Sequence, residues 1–256
     1  MRKTLALLAL FFTLFGALAY AEEITVAAAA DLTYAMKDLA VQFQTKTGNT
    51  VMLSFGASGG FYSQIANGAP FDVFFSADSQ YVAKLAAAGK IDQASVRNYA
   101  VGALVLWLPN RSRLDLQKLK MDVLLDRSVK KIAIANPEHA PYGRAAMAAL
   151  EHFQLKMLVT DKLVMGENIS QAAQFVSSGN AQSGLIAESL ALSPKMKSGG
   201  TFWVVPPDSY PPIVQSAGIL TSSKHKQTAQ AFLDFVTSAD GAKILAQYGF
   251  GAPPRQ

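Results

Sequence analysis

Apolar residues recur along this chain in two alternating textures, short β-rich runs and longer stretches at helical spacing. Ile24 to Ala28 is a short apolar run, after which Leu32, Ala35, Met36, Leu39, Ala40 and Phe43 recur at helical spacing until Gly48. That pattern predicts a strand followed by an amphipathic helix. The pair returns as Val51 to Phe55 before a helix near Tyr62 to Asn67, and as Val73 to Ser76 before a helix from Ser79 to Ala88. Alternation of this kind predicts a parallel sheet covered by helices.

Tyr99 to Leu108 is a longer apolar run closed by Pro109-Asn110, and the alternation then starts afresh. Ile132 to Ala135 precedes a helix from Tyr142 to Phe153, Leu163 to Met165 precedes one from Ile169 to Ser177, and Gly184 to Ala187 precedes one through Leu192. Thr201 to Val205 and Ile213 to Leu220 bring the chain back, with Pro206, Pro207, Pro211 and Pro212 between them. Those prolines suit a crossover between lobes better than a sheet interior. Two helical patterns follow, with Ala231, Phe232, Phe235 and Val236 in one and Ala242, Leu245 and Ala246 in the other. They are expected to close the first lobe. The division expected is residues 22–100 with 216–256 as lobe 1 and 101–215 as lobe 2.

The N-terminus changes the picture of where the chain works. Arg2 and Lys3 precede an apolar stretch from Leu5 to Leu18 and then Ala19-Tyr20-Ala21, the form of a secretory signal peptide cut after Ala21. The stretch falls short of the roughly 20 apolar residues of a membrane anchor, and no cysteine offers a lipid anchor. Residues 1–21 are therefore expected to be removed and the rest to act outside the cytoplasm without membrane insertion. With no cysteine, stability must come from an ordinary core. Lys and Arg exceed Asp and Glu by 23 to 18, and Arg2 and Lys3 leave with the leader. The remaining cations are scattered, as at Lys130-Lys131, which excludes a nucleic-acid stripe.

Catalytic and cation sites find little support. His139, His152 and His225 are the only histidines, and none pairs at zinc-ligand spacing. Gly56-Ala57-Ser58-Gly59-Gly60 is out of register for a nucleophile elbow. More informative are four strand-to-helix junctions built of small or hydrogen-bonding residues: Ala29 to Leu32, Gly56 to Gly60, Ala140 to Gly143, and Gly166 to Ser170. In parallel α/β sheets such junctions lie at the carboxyl ends of the strands, where ligands bind. Each helix start offers unpaired N–H groups and about +0.5 charge, so four converging offer about +2, the order of a divalent oxyanion. Each junction also has a plainer reading: Asp31 and Asn168 as N-caps, Ser58 with its glycines as a turn. Tyr142 reads either as a core residue with a satisfied hydroxyl or as a donor at the entrance of its helix. Arg144 is expected to face solvent, and Trp107 and Trp203 to be core or lobe-interface residues.

At these junctions the sequence resembles the periplasmic molybdate-binding proteins of ABC importers, which have the type II periplasmic binding fold. The likeness rests on Ile24 to Leu32, Phe55 to Gly59, Gly68 to Asp78, Asn136 to Gly143 and Gln247 to Phe250, and it covers nearly the whole chain after the leader. It implies two α/β lobes, each a mostly parallel sheet flanked by helices, with the ligand in the cleft between them. It further implies a periplasmic solute-binding protein that is not an enzyme, works as a monomer without a cofactor, and delivers molybdate or tungstate to a membrane permease. Sulfate or thiosulfate is the alternative ligand. Carried over by motif, the oxyanion contacts fall on Ala30 and Asp31, Ala57 and Ser58, Tyr142 and Ile169, with no direct metal-cation ligand. The family often has a hydroxyl residue where Ala30 or Asp31 stands, and some relatives have a tyrosine where this chain has Ala187. An ionised Asp31 would repel a dianion, so its carboxylate is expected to turn away and cap its helix while its backbone N–H faces the ligand.

Overall fold

The structure, a computed structural model, describes residues 21–254. The expected leader lies outside that span apart from Ala21, as do Arg255 and Gln256. In chain order the strands are β1 (Glu23–Ala29), β2 (Thr50–Gly56), β3 (Val73–Ser76), β4 (Arg97–Gly102), β5 (Leu104–Pro109), β6 (Ile132–Ala135), β7 (Leu163–Gly166), β8 (Ser183–Ala187), β9 (Gly200–Val204) and β10 (Ile213–Ile219). The helices are α1 (Ala35–Thr47), α2 (Ser58–Ala66), α3 (Ser79–Ala87), α4 (Leu116–Leu119), α5 (Pro141–His152), α6 (Lys156–Val159), α7 (Ile169–Ser178), α8 (Glu188–Ala191), α9 (Pro194–Gly199), α10 (Lys226–Thr237) and α11 (Ala239–Gln247).

Two five-stranded sheets result, ordered β2-β1-β3-β10-β4 and β7-β6-β8-β5-β9. In the first, β1 runs parallel to β2 and β3; in the second, β6 runs parallel to β7 and β8. The strands next to the crossovers reverse this: β10 is antiparallel to β3 and β4, and β5 to β8 and β9. Each lobe is thus a mixed sheet with a parallel half, and the helices that follow the parallel strands begin on the side where those strands end.

Burial on both faces explains why the strands read as unbroken apolar runs. Along β1, Val26 and Ala28 face a large cluster containing Phe43, Phe75 and Phe232, while Ala27 faces a second cluster with Phe61, Ile65 and Phe74. That alternation is the two-residue period of a strand. It also explains a misreading of the pattern. The run from Tyr99 to Leu108 is two strands in different sheets, broken at Ala103. Both halves are buried, so no change in polarity marks the break.

The sheets accordingly exchange at Ala103 and across residues 205–212, which include a 3-10 turn at Pro207–Ser209. The positions expected for the exchange, 100/101 and 215/216, fall inside β4 and β10. Two helix starts also differ. A 3-10 turn at Ala30–Leu32 precedes α1, which begins at Ala35, and α2 begins at Ser58, well before Tyr62.

The C-terminal helices pack on the first sheet. Phe232 of α10 meets Phe43 edge-on at 5.1 Å and Phe75 at 5.8 Å, and Val101 N donates to Gly251 O at 2.9 Å. Phe232 has no exposed surface. The substitution Phe232→Ala should therefore lower unfolding free energy by about 3–5 kcal/mol, read from the midpoint of urea denaturation; a loss under about 1 kcal/mol would mean that α10 is not part of this core.

Candidate functional site

Four chain reversals meet where the two sheets face each other. β1 ends at Ala29 and turns through Ala30–Leu32, β2 ends at Gly56 before α2, β7 ends at Gly166 before α7, and the loop after β6 leads to α5. They enclose a small, tightly lined cavity. Ala30, Asp31, Ala57, Ser58, Tyr142 and Ile169 all line it, joined by Ala29, Gly56, Ala77, Ala140, Pro141 and Asn168. Sequence reasoning missed Ala77, which the junction of β3 and α3 supplies. No lysine or arginine lines the cavity, and its one acid is Asp31.

Some helix starts in this chain are capped by a side chain and others are not. Asp78, Asp115 and Ser238 cap α3, α4 and α11 with their side chains. At the cavity the capping positions are Ala29, Ala57 and Ala140, none of which has a side chain able to accept. An alanine at an N-cap costs about 1 kcal/mol against Ser or Asp and leaves the first amides without an acceptor. Pro141 has no N–H, so the first such amide of α5 belongs to Tyr142. Asn168 does cap its helix, accepting from Gln171 N at 3.1 Å, which spends the third amide and leaves those of Ile169 and Ser170. Ser58 Oγ accepts from Ala77 N at 2.9 Å, so its own proton remains to be donated. Because the turn at Ala30–Leu32 is a short 3-10 segment, full-length dipoles come from α2, α5 and α7, about +1.5 in all rather than +2.

Asp31 departs from expectation. Its side chain caps no helix; it is buried at 1% exposure and accepts from Gln215 Nε2 through Oδ2. Gln215 is held in turn by Tyr99, whose hydroxyl donates to Oε1 at 2.6 Å. Burial raises the Asp31 carboxyl from 3.8 to about 6, partly offset by Gln215 and the nearby Tyr142 hydroxyl. The same burial, and then the Asp31 charge, pushes the Tyr142 hydroxyl well above its usual 10. Neither Asp31 Oδ1 nor Tyr142 OH has a partner in good hydrogen-bond geometry. Tyr142 OH sits against Gly102 in the crossover, where a Cβ would fall 2.1 Å away.

Contacts between the lobes surround the cavity. Ser170 Oγ donates to Ala30 O at 2.9 Å and shares a 3.2 Å hydrogen bond with Thr33 Oγ1. Ser189 Oγ donates to Asp31 O at 2.7 Å, and Gly59 N to His139 O at 2.9 Å. Arg144, expected to face solvent, instead spans the cleft: its Nη2 lies 2.5 Å from Asp78 Oδ2 and its Nη1 donates to Tyr81 OH at 3.3 Å. The starts of α5 and α3 face each other there, so a guanidinium on the first turn of α5 reaches the acid that caps α3. Trp107 is buried within the second sheet, and Trp203 packs at 6.4 Å from Phe153.

Asp31 gives the unliganded protein a definite pH dependence. A carboxyl whose pKa rises on folding favours the folded state while protonated, so stability is fully present below about pH 4 and is lost as pH climbs through about 6. The loss attributable to this group is about 3 kcal/mol. Urea midpoints across that range should fall for the parent protein more steeply than for Asp31→Asn, and matching slopes would show that the carboxyl is not held as described.

The family model for bacterial extracellular solute-binding proteins matches residues 24–251. The molybdate-binding protein ModA of Azotobacter vinelandii is 44% identical over 233 residues, 91% of this chain and 91% of that one. ModA of Rhodobacter capsulatus is 39% identical over 232 residues, 91% of this chain and 89% of the relative. The solved structure of the Azotobacter vinelandii periplasmic molybdate-binding protein aligns with a TM-score of 0.85 at 35% identity, covering 90% of this chain and 100% of that one. Mixed sheets joined by two crossovers, a cavity at the helix starts and similarity along almost the entire described chain lead to one assignment: the chain belongs to the bacterial extracellular solute-binding protein family and has its two-lobed type II fold.

Proposed function

We propose that this chain captures molybdate, or the nearly isosteric tungstate, outside the cytoplasm and presents it to the membrane permease of an ABC importer. The observation that carries the reading is the lining of the cavity: helix starts from both lobes with alanine in place of a capping side chain, and no lysine or arginine. Amides left without acceptors around a small cavity suit a small anion with oxygen on every side. The Azotobacter vinelandii and Rhodobacter capsulatus relatives, each aligned over 91% of the chain, are named for molybdate, which favours it over sulfate or thiosulfate.

In this reading the backbone amides of Ala30 and Asp31 and those of Ala57 and Ser58 contact the anion from the first lobe, with the Ser58 hydroxyl. Tyr142 and the amide of Ile169 contact it from the second. The two crossovers act as the hinge, and the Arg144–Asp78 pair and the Ser170 and Ser189 hydrogen bonds hold the lobes together once the anion is in place. The ligand undergoes no reaction. Fixed neutral donors favour a fully deprotonated anion, because an O–H on the guest would meet another hydrogen.

Isothermal titration of the protein lacking residues 1–21 should give tight binding of molybdate and tungstate and weaker binding of sulfate and phosphate; no heat with any of the four would refute the reading. The substitution Tyr142→Phe tests the placement of the site. Its molybdate affinity should fall about tenfold, a loss near 1.4 kcal/mol, and an unchanged affinity would remove the Tyr142 hydroxyl from the contacts.

A further inference from the structure

Resting on the oxyanion reading but going beyond it, we propose that Asp31 takes up a proton from solvent as the dianion enters, and that its Oδ1 then serves the ligand as a hydroxyl donor. The network around the side chain fixes which oxygen is free. Tyr99 donates to Gln215 Oε1, which orients the amide so that Gln215 Nε2 must donate to Asp31 Oδ2. Oδ1 is left buried and unpaired in the lining of the cavity.

Among the described residues, no cation stands near that carboxylate if it stays ionised; only neutral donors, Gln215, the Tyr142 hydroxyl and the backbone amides of Asp31 and Leu32, favour its charge. The groups set around Asp31 are Tyr142 from α5, Tyr99 from β4, Gln215 from β10 and Ser189 from α8, with Tyr210 beyond Tyr142 and Glu188 beyond Tyr210. None carries positive charge. A dianion and a carboxylate in one small cavity oppose each other's ionised forms. Protonated, the same carboxyl becomes an O–H donor, and an O–H bond to an anionic oxygen is short and strong. Burial, only partly offset by the neighbouring donors, already brings Asp31 to about 6, so near neutrality the proton is close at hand.

The balance of the step is simple. One proton leaves the buffer, the Oδ1–H bond forms, and no other bond breaks.

Titration with sodium molybdate near pH 7.5, repeated in two buffers of different ionisation enthalpy, counts the protons directly. Free Asp31 is then mostly ionised, so about one proton should be taken up per anion bound, and the dissociation constant should rise about tenfold per pH unit above neutrality. Asp31→Asn imitates the protonated acid, its Oδ1 accepting from Gln215 and its Nδ2 donating to the anion; it should bind with no net proton and no such pH slope. Molybdate binding to the parent protein without proton uptake, or the same uptake in Asp31→Asn, overturns the proposal and leaves the transport reading intact. Absence of molybdate binding at every pH overturns both.

Discussion

A backbone N–H at a helix start that finds no acceptor in its own chain must find one in solvent or in a guest. Around the cavity this rule governs nearly everything. Ala29, Ala57 and Ala140 withhold the side-chain acceptor that Asp78, Asp115 and Ser238 supply elsewhere. The parallel halves of two sheets then bring those deprived ends to one point, because helices that follow parallel strands all begin at the strands' carboxyl ends. The fold is what turns several small local deficits into a single site.

The antiparallel strands serve the opposite purpose. β4 and β10 lie next to the two crossovers, so what they bring to the junction stands close to both lobes. Gly102 leaves room for the Tyr142 hydroxyl, and Gln215 ties Asp31 to Tyr99. Strands beside the crossovers therefore touch residues that line the cavity. A change in the charge or position of Asp31 is felt directly on β10.

The residues expected at the site from sequence all line the cavity, because a strand end followed by a helix start is a local signal. What lay hidden depends on distant pairing. Gln215 reaches Asp31 across 184 positions, and Arg144 reaches Asp78 across 66. A lone amide within the apolar run Ile213 to Leu220, and a lone acid after four alanines, were the available hints of a buried polar pair. The break at Ala103 was illegible for a different reason: two strands buried on both faces look alike whichever sheet they join. The end of the first turn misled because a 3-10 segment and an α-helix share the same early apolar spacing.

Division of the lining between two separable halves has one more effect. Ala30, Asp31, Ala57 and Ser58 stand on one side and Tyr142 and Ile169 on the other. On the proposed reading, prising the halves apart would strip a captive of several donors in a single motion, with water replacing them. Mechanical leverage on the outside of the molecule would thereby become release within, with no competing counter-ion needed to displace the cargo.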